Sequence, residues 1–453
     1  MMRARAPACS SSIFSPCGAA VAAFLALSSA AAFAQQSAPL KMPDTQLEPI
    51  DWVELQGWAD DDHRASFASF LNSCRPMAQG KSAPDAPPLQ EAMRDICRKA
   101  LRTKPMDAAD ARAFFEQNFR PVRIAKLGDS AGFLTGYYEP VVEGSLSASD
   151  EYAVPVYRRP WNLIVSGRSR TVGGKGFPNK GKVGRLVGRR KLVPYYDRGE
   201  IEDGALAGRG LEICWLKSRI DLFFIQIQGS ARVRLEDGKM LRLNYDSHNG
   251  WPYTPVGRIL IEKGIVPRDE ISMERIREWM QANPDDAKEL RRKNQSYVFF
   301  REVPLAEQDE PVGGQGVRLT PGRSIAVDRP FHAYGTLFFI EADLPLASAR
   351  DKSKFQHLMV AQDTGSAITG PARADIYFGA GLEPGRVAGR IRHAARFAVL
   401  IPKELDMVRA GAMMPLPPAR PSAVEARLIE GAVPLPRPRP DLAGPGPRKR
   451  YRR

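Results

Sequence analysis

The apolar positions along this chain change their spacing twice. Before residue 120 they recur every three or four residues. Phe67, Phe70, Leu71 and Cys74 share one helical face, Met93, Ile96, Cys97, Ala100 and Leu101 a second, and Ala111, Phe114, Phe115 and Phe119 a third. The aspartates at 60–62 can cap the first helix, and the Pro- and Ala-rich stretch 76–88 predicts a loop after it. From Gly132 strand patterns take over: GFLTGYYEPVVEG sets aromatics among Gly and Pro, and AVPVY alternates. Within 221–235, LFFIQIQGSARVRL alternates apolar residues with Gln and Arg and predicts the strongest strand of the chain. Helical spacing returns at 273–280 and 285–292, joined at Asn283-Pro284, and 296–402 is again β-rich.

Candidate chemistry concentrates in 358–381, LMVAQDTGSAITGPARADIYFGAG. The apolar run 358–361 has the composition of a buried strand and stops at Asp363. Gly365 and Gly370 bracket a turn, and Asp375 stands just before the apolar pair Ile376-Tyr377. Two carboxylates thus lie where strands meet Gly-rich loops, a common address for catalytic groups. An Asp before Thr-Gly can equally bond its own backbone in an Asx-turn. Asp328, in SIAVDRPFHAYGTLFFI, ends another apolar run ahead of a Gly-containing turn.

The blocks AVDRP, YGT, AQDTG and GPARADIYFG together resemble the three-aspartate domain of the membrane-bound lytic murein transglycosylase A family. GWADDDHRASFASFLNSC (57–74), GYYEP (136–140), PVYRRP (155–160), FFIQIQGSARVRLEDG (223–238), NGWPYTPVGR (249–258) and QSYVFFRE (295–302) also resemble that family's blocks, in its order. The resemblance implies a mostly β fold with N-terminal helices: a double-psi, barwin-like β-barrel domain with a smaller β-domain inserted in it, and a glycan groove between them. Carried over, the barrel domain takes 45–140 and 295–405, with the three-aspartate part at 317–402, and the inserted domain takes 141–294. The implied activity is that of a peptidoglycan lytic exotransglycosylase, a glycan lyase, with no cofactor. The residues themselves leave open end-cutting or mid-chain cleavage, glycan length and partner cell-wall enzymes.

The N-terminal pattern predicts export from the cytoplasm. Arg3 and Arg5 precede an apolar, Ala-rich run (18–32) that closes on Ala32-Phe33-Ala34, so 1–34 reads as a signal peptide and 35–44 as a mobile leader. The run is shorter than the ~20 residues a span needs, and no other stretch is apolar enough to cross a membrane. Neither Cys9 nor Cys17 has the context of a lipid-modified terminus, which departs from the family's membrane-bound name; the expected location is the periplasm, with peripheral attachment to the outer membrane left open. Beyond residue 34, Cys74 and Cys97 sit in neighbouring helices and form the natural disulfide pair, while Cys214 reads as a buried apolar side chain. Neither cysteine nor histidine spacing suggests a metal site. The net charge of +15, or +13 without Arg3 and Arg5, would fit nucleic acid, but for an exported protein an anionic wall polymer such as peptidoglycan fits better. Between 168 and 191 there are nine Lys or Arg and no acidic residue, which predicts a solvated loop or a polymer-binding one. Residues 411–453 hold ten prolines and nine Lys or Arg against three acidic residues and cannot bury a core, so a disordered tail is expected there.

Cleaving a glycosidic bond needs a proton for the leaving oxygen, and hydrolases usually pair two carboxylates for it. A lytic transglycosylase uses the substrate's own muramyl 6-hydroxyl as nucleophile, so one carboxylic acid can give a proton and then take one. That acid must have a raised pKa. The resemblance maps the acid onto Asp375, its electrostatic partner onto Asp363, and the third aspartate onto Asp328, which could equally buttress a turn. TGSA stands where the family more often has a second Gly, so the turn backbone is expected to differ at Ser366. Tyr137, Tyr138, Gln226, Gln228 and Ser230 are candidate sugar-binding residues, followed by Tyr245, Asn249, Trp251 and Tyr253. Core tyrosines and a polar strand face are the structural alternative for these. Two other functions fit parts of the pattern. Asp363-Thr364-Gly365-Ser366 matches an aspartic protease signature, although no second Asp-Thr/Ser-Gly is present; a non-catalytic wall-binding protein is the other.

Overall fold

The computed structural model describes residues 42–80, 88–104, 107–166, 182–187, 191–268, 270–304, 306 and 309–405. The expected signal peptide 1–34, most of the leader 35–44, most of the basic run 168–191 and the tail 411–453 lie outside the described residues.

The continuous apolar runs near the C-terminal end form strands buried on both faces. Leu337–Leu344, Ser353–Asp363 and Arg392–Pro402 lie side by side, each antiparallel to its neighbour. Phe338, Ile340, Met359, Ala361, Phe397 and Val399 point into one core, with Ile325, Val327, Leu134 and Ile376. The alternate residues Leu337, Phe339, Leu358, Val360, Ala398 and Leu400 point into another, against the N-terminal helices. A strand with two buried faces has no polar alternation to show, which is why its sequence reads as a block.

These strands belong to an eight-stranded sheet that closes on itself. Arg392–Pro402 pairs through its first four residues with Gly132–Glu139 and through its last six with Phe119–Lys126. Six strands therefore form a closed barrel: Gly132–Glu139, Arg392–Pro402, Leu337–Leu344, Ser353–Asp363, Ser324–Val327 and Arg373–Ala380. Closure leaves these strands no free edge.

Three helices, His63–Gln79, Pro88–Arg102 and Ala108–Asn118, cover one side of the barrel with Phe67, Phe70, Met93, Ile96, Phe114 and Phe115. Asp62 caps the first by accepting from Ala65 N–H. A disulfide joins Cys74 to Cys97 and ties the first helix to the second. The expected loop at 76–88 begins later, because Pro76 lies inside the first helix. One turn from the helix end, a proline forfeits a single backbone bond, and the packed Ser73 and Cys74 just before it hold the helix in place.

A second, six-stranded sheet runs in the order Val298–Glu302, Met240–His248, Ser230–Leu235, Val141–Ser145, Glu212–Leu216, Val154–Tyr157. Val298–Glu302 pairs here although it follows residue 294, the expected end of the inserted part. Cys214 is buried in this sheet's core as a free thiol.

The predicted strand over 221–235 is corrected: Arg219–Gln228 is an α-helix, and only Ser230–Leu235 is a strand. Ser218 caps the helix by accepting from Ile220 and Asp221 N–H groups, and Gly229 ends it at φ +81°. The helix is apolar nearly all round because it lies between two cores, Leu222 and Ile225 facing one and Phe223 and Phe224 the other.

Barrel and second sheet meet where the chain passes from Gly132–Glu139 through Pro140 into Val141–Ser145. At that seam the buried Glu139 carboxylate accepts from Arg232 at 2.6 Å and from Arg242 at 2.8 Å. Beside it, Tyr377 donates its hydroxyl to Glu310.

Candidate active site

Asp363 and Asp375 are brought together by one extra residue. Ser324–Val327 lies between their strands, parallel to one and antiparallel to the other. Ile325 is in register with Ala361, but Ala326 is in register with Asp363, so Gln362 is bulged out of the ladder. On its other side Ala326 is in register with Asp375. The bulge shifts the side-chain phase and puts both carboxylates on the face of Ala326, two strand spacings or about 10 Å apart at Cα. The row continues beyond Asp375 to Thr135 and then Arg392.

The first helix anchors the bulge. The fully buried Gln362 side chain donates to Ser69 O and Ser73 Oγ, each at 2.9 Å, and accepts from Ser324 and Ser69 hydroxyls. Ser73 also donates to Gln315 at 2.8 Å, next to Gly314, whose N–H reaches Asp363.

Asp375, inside the strand Arg373–Ala380, accepts a hydrogen bond from Thr135 Oγ1 at 2.8 Å. Burial raises its pKa; the Arg373 charge and the Thr135 bond pull it down, and the Asp363 charge adds a smaller push upward. The balance is about 6, against 3.8 for a free aspartate. Arg373 is stretched over Phe133 and donates to Thr135 Oγ1 at 2.7 Å, so it steers the hydroxyl that holds Asp375.

Asp363 closes the strand Ser353–Asp363. It accepts from Tyr137 Oη at 2.9 Å, Gly314 N–H at 2.8 Å and Thr364 N–H at 2.9 Å. Burial raises its pKa and these three donors oppose the rise. The Thr364 bond is the Asx-turn contact that the sequence allows, and the other two are long-range. Gly314 fits because a Cβ there would collide with the Tyr334 hydroxyl and lie 3.3 Å from the Asp363 carboxylate. The following turn is closed by Ile368 N–H to Gly365 O, with Ser366 facing the cleft.

Asp328 does not join this pair. It accepts from Gly370 N–H at 2.7 Å, and its carbonyl receives Phe331 and His332 N–H groups, so it ties down two turns.

An elongated cleft runs between barrel and second sheet. Asp363, Tyr137, Gln226 and Gln228 line its middle, a hollow of about 140 Å³ that also includes Asp375 and Tyr253. One arm continues past Ser230, Asn244 and Tyr245, the other past Thr135, Arg373 and Arg392. Asp375 thus stands at the junction of the middle and the second arm.

The other sequence candidates separate. Gln226 accepts from Arg198 at 2.7 Å and donates to Val298 O; Gln228 accepts from Tyr138 N–H. Tyr138 itself faces away from the cleft, because adjacent strand residues alternate, and its ring lies against Gly385 on the helix Leu382–Arg390. Asn249 is a structural hub that bonds Tyr196 O, Gln295 O and Tyr297 N–H, and Trp251 donates to Tyr195 O. Among the described residues no group of three or more His, Cys, Asp or Glu could hold a metal ion. Sequence reasoning missed Thr135, Arg373, Gly314 and Gln362; only the Gly-Gly pair at 313–314 carried a visible signal.

Two family models match, the MltA specific insert domain over 133–301 and the 3D domain over 323–401. A curated Vibrio cholerae protein, membrane-bound lytic murein transglycosylase A, is 32% identical over 285 residues, 61% of this chain and 68% of that protein. The chain belongs to the membrane-bound lytic murein transglycosylase A family. Among solved structures, a membrane-bound lytic murein transglycosylase from Agrobacterium tumefaciens is 35% identical with a TM-score of 0.71, covering 81% of this chain and 99% of that one. E. coli MltA with bound chitohexaose is 26% identical with a TM-score of 0.56, covering 81% and 97%. The two family segments supply opposite walls of the cleft: Gln226, Gln228, Ser230 and Tyr253 come from the first, Asp363 and Asp375 from the second. Among the described residues no helix is long and apolar enough to cross a membrane.

Proposed function

We propose that this protein is a peptidoglycan lytic transglycosylase that cleaves the β-1,4 bond between N-acetylmuramic acid and N-acetylglucosamine. The observation that carries the reading is Asp375, a carboxylic acid with its pKa lifted to about 6 in the floor of an open cleft. Protonated, it gives its proton to the glycosidic oxygen as the C1–O bond breaks. The carboxylate then takes the proton of the muramyl 6-hydroxyl as that oxygen bonds C1 and closes the 1,6-anhydro ring. The acid ends ionised once and reprotonated once, so no water or cofactor is consumed. Asp363, about 10 Å away at Cα and bonded to Tyr137, lends negative charge to the oxocarbenium-like carbon.

Family membership supports this reading, as does the chitohexaose bound to the E. coli relative, which suits a glycan strand as occupant of the cleft. In the same reading the six-stranded barrel is of the double-psi type, Asp328 is a turn buttress, and the protein works in the periplasm, peripheral to the outer membrane. A protease is disfavoured because the facing aspartate, Asp375, lies in Ala-Asp-Ile rather than a second Asp-Thr-Gly. Mass spectrometry of products released from purified sacculi tests the proposal. Anhydromuropeptides are expected; reducing-end products would indicate a hydrolase, and no release would indicate a binding protein.

A further inference from the structure

The cleft is chemically lopsided about Asp375. On the Asp363 side its walls carry amides and hydroxyls, Gln226, Gln228, Ser230, Asn244, Thr364 and Ser366, which suit the edges of sugar rings. On the other side a hollow of about 750 Å³ is walled by Phe133, Phe223, Phe224, Ile261, Ile271 and Ile391. Four arginines, at 258, 268, 373 and 392, stand around that apolar lining.

Two of these arginines are already engaged. Arg258 pairs with Glu262 at 2.7 Å, and Arg373 donates to Thr135 and to Ala374 O. Arg392 and Arg268 pair with no carboxylate among the described residues. Arg392 is nevertheless held in place, because its guanidinium donates to Ile271 O at 3.1 Å. It is in register with Thr135, which is in register with Asp375, so Arg392 stands about 10 Å from the acid at Cα. Burial, and then the charge of Arg268, hold Arg392 below the ordinary arginine range. Two like charges over an apolar wall favour an anion between them.

A neutral pyranose could stack on such a wall, but it offers no charge to the two guanidinium groups beside it. Murein has one component that does: the stem peptide, joined through a lactyl group to muramic acid and carrying both methyl groups and carboxylates. We propose that this arm of the cleft receives the stem peptide of the muramyl residue at the cleavage point, with its carboxylates at Arg392 and Arg268. The inference rests on the transglycosylase reading. It assigns the muramyl residue to the Arg392 side of Asp375 and makes the enzyme selective for peptide-bearing strands.

The test compares glycan strands with intact stem peptides and the same strands stripped by an amidase, with the lactyl carboxylate that stripping exposes converted to its amide. The enzymes are the wild type, Arg392→Gln, Arg268→Gln, the double variant, and Arg64→Gln as a remote charge control, with thermal melts for each. The wild type is expected to show a kcat/KM roughly tenfold higher on peptide-bearing strands, the size of one charge-assisted contact. The double variant should lose that preference through KM, slowing about tenfold more on peptide-bearing strands than on stripped ones, while Arg64→Gln keeps the wild-type ratio. Both positions are exposed, so each single variant should keep its fold and show part of the loss. Equal wild-type rates on the two substrates, or equal slowing of both by the double variant, would overturn this inference alone. No cleavage of either substrate would overturn the transglycosylase reading and this one with it.

Discussion

Thr135 donates its hydroxyl proton to Asp375 at 2.8 Å while accepting from Arg373 at 2.7 Å. A hydrogen bond to the carboxylate favours the ionised acid, so Thr135 works against the burial that keeps Asp375 protonated. Thr135→Val keeps the shape and removes the bond, so the pKa should climb above about 6 and the alkaline limb of kcat/KM should move to higher pH. Turnover at the optimum should fall roughly tenfold as the carboxyl loses its aim. Asp363→Asn removes the neighbouring charge and should move the limb the opposite way, by less, since that charge weighs less on Asp375 than the Thr135 bond. Parallel pH–rate profiles on purified murein check both directions.

For the wild type, the acid is mostly protonated below pH 6 and mostly ionised above it. Free-enzyme kcat/KM should therefore decline as pH rises through about 6. A profile flat from pH 5 to pH 8 would exclude Asp375 as proton donor.

Asp375→Asn can neither give nor take a proton, and activity should fall by ~10²–10⁴. The same variant should be more stable than the wild type. The folded pKa of about 6 exceeds 3.8, so the folded protein favours the proton, and stability is lost as pH rises from about 4 through 6. The amide escapes that loss, for a gain of roughly 3 kcal/mol at pH 7 and little at pH 4. Thermal melts at the two pH values decide this, and a gain equal at both would assign it to packing instead.

Gln362→Leu leaves Ser69 O, Ser73 Oγ and the Ser324 hydroxyl without their amide partner inside a closed core. A cost of roughly 2–4 kcal/mol is expected from unsatisfied buried groups. Because the bulge sets the phase of Asp363, protein that remains folded should also lose turnover with KM little changed. Ser69→Ala should lower stability without that kinetic loss.

Thiol counting on the unfolded protein without residues 1–34 should find one free cysteine, Cys214, with Cys74 and Cys97 joined. Reduction should cost about 3 kcal/mol, as expected for a loop of this length. Three free thiols would rule the bridge out.

Much of the barrel was legible because buried strands write themselves as apolar blocks, Leu358 to Ala361 above all, and two of the aspartates sit where those blocks end. The disulfide helices were legible from their period. The helix Arg219–Gln228 was not, because Ile-Gln-Ile-Gln imitates strand alternation when a helix is apolar on several sides. Its signal lay at the ends, in Ser218 and Gly229. Tyr137 and Tyr138 could not both face the cleft from one strand, and alternation alone would have shown that. The bulge at Gln362 had no sequence signal: it exists through serines nearly three hundred residues away in the chain.

The Glu139 clamp fastens the corner from which both walls of the cleft rise. Gly132–Glu139 of the barrel runs directly into Val141–Ser145 of the second sheet, and Arg232 and Arg242 of that sheet both hold the last residue before the joint. One buried carboxylate thus sets the angle at which the two walls of the cleft meet at that corner, like the pin in a folded rule.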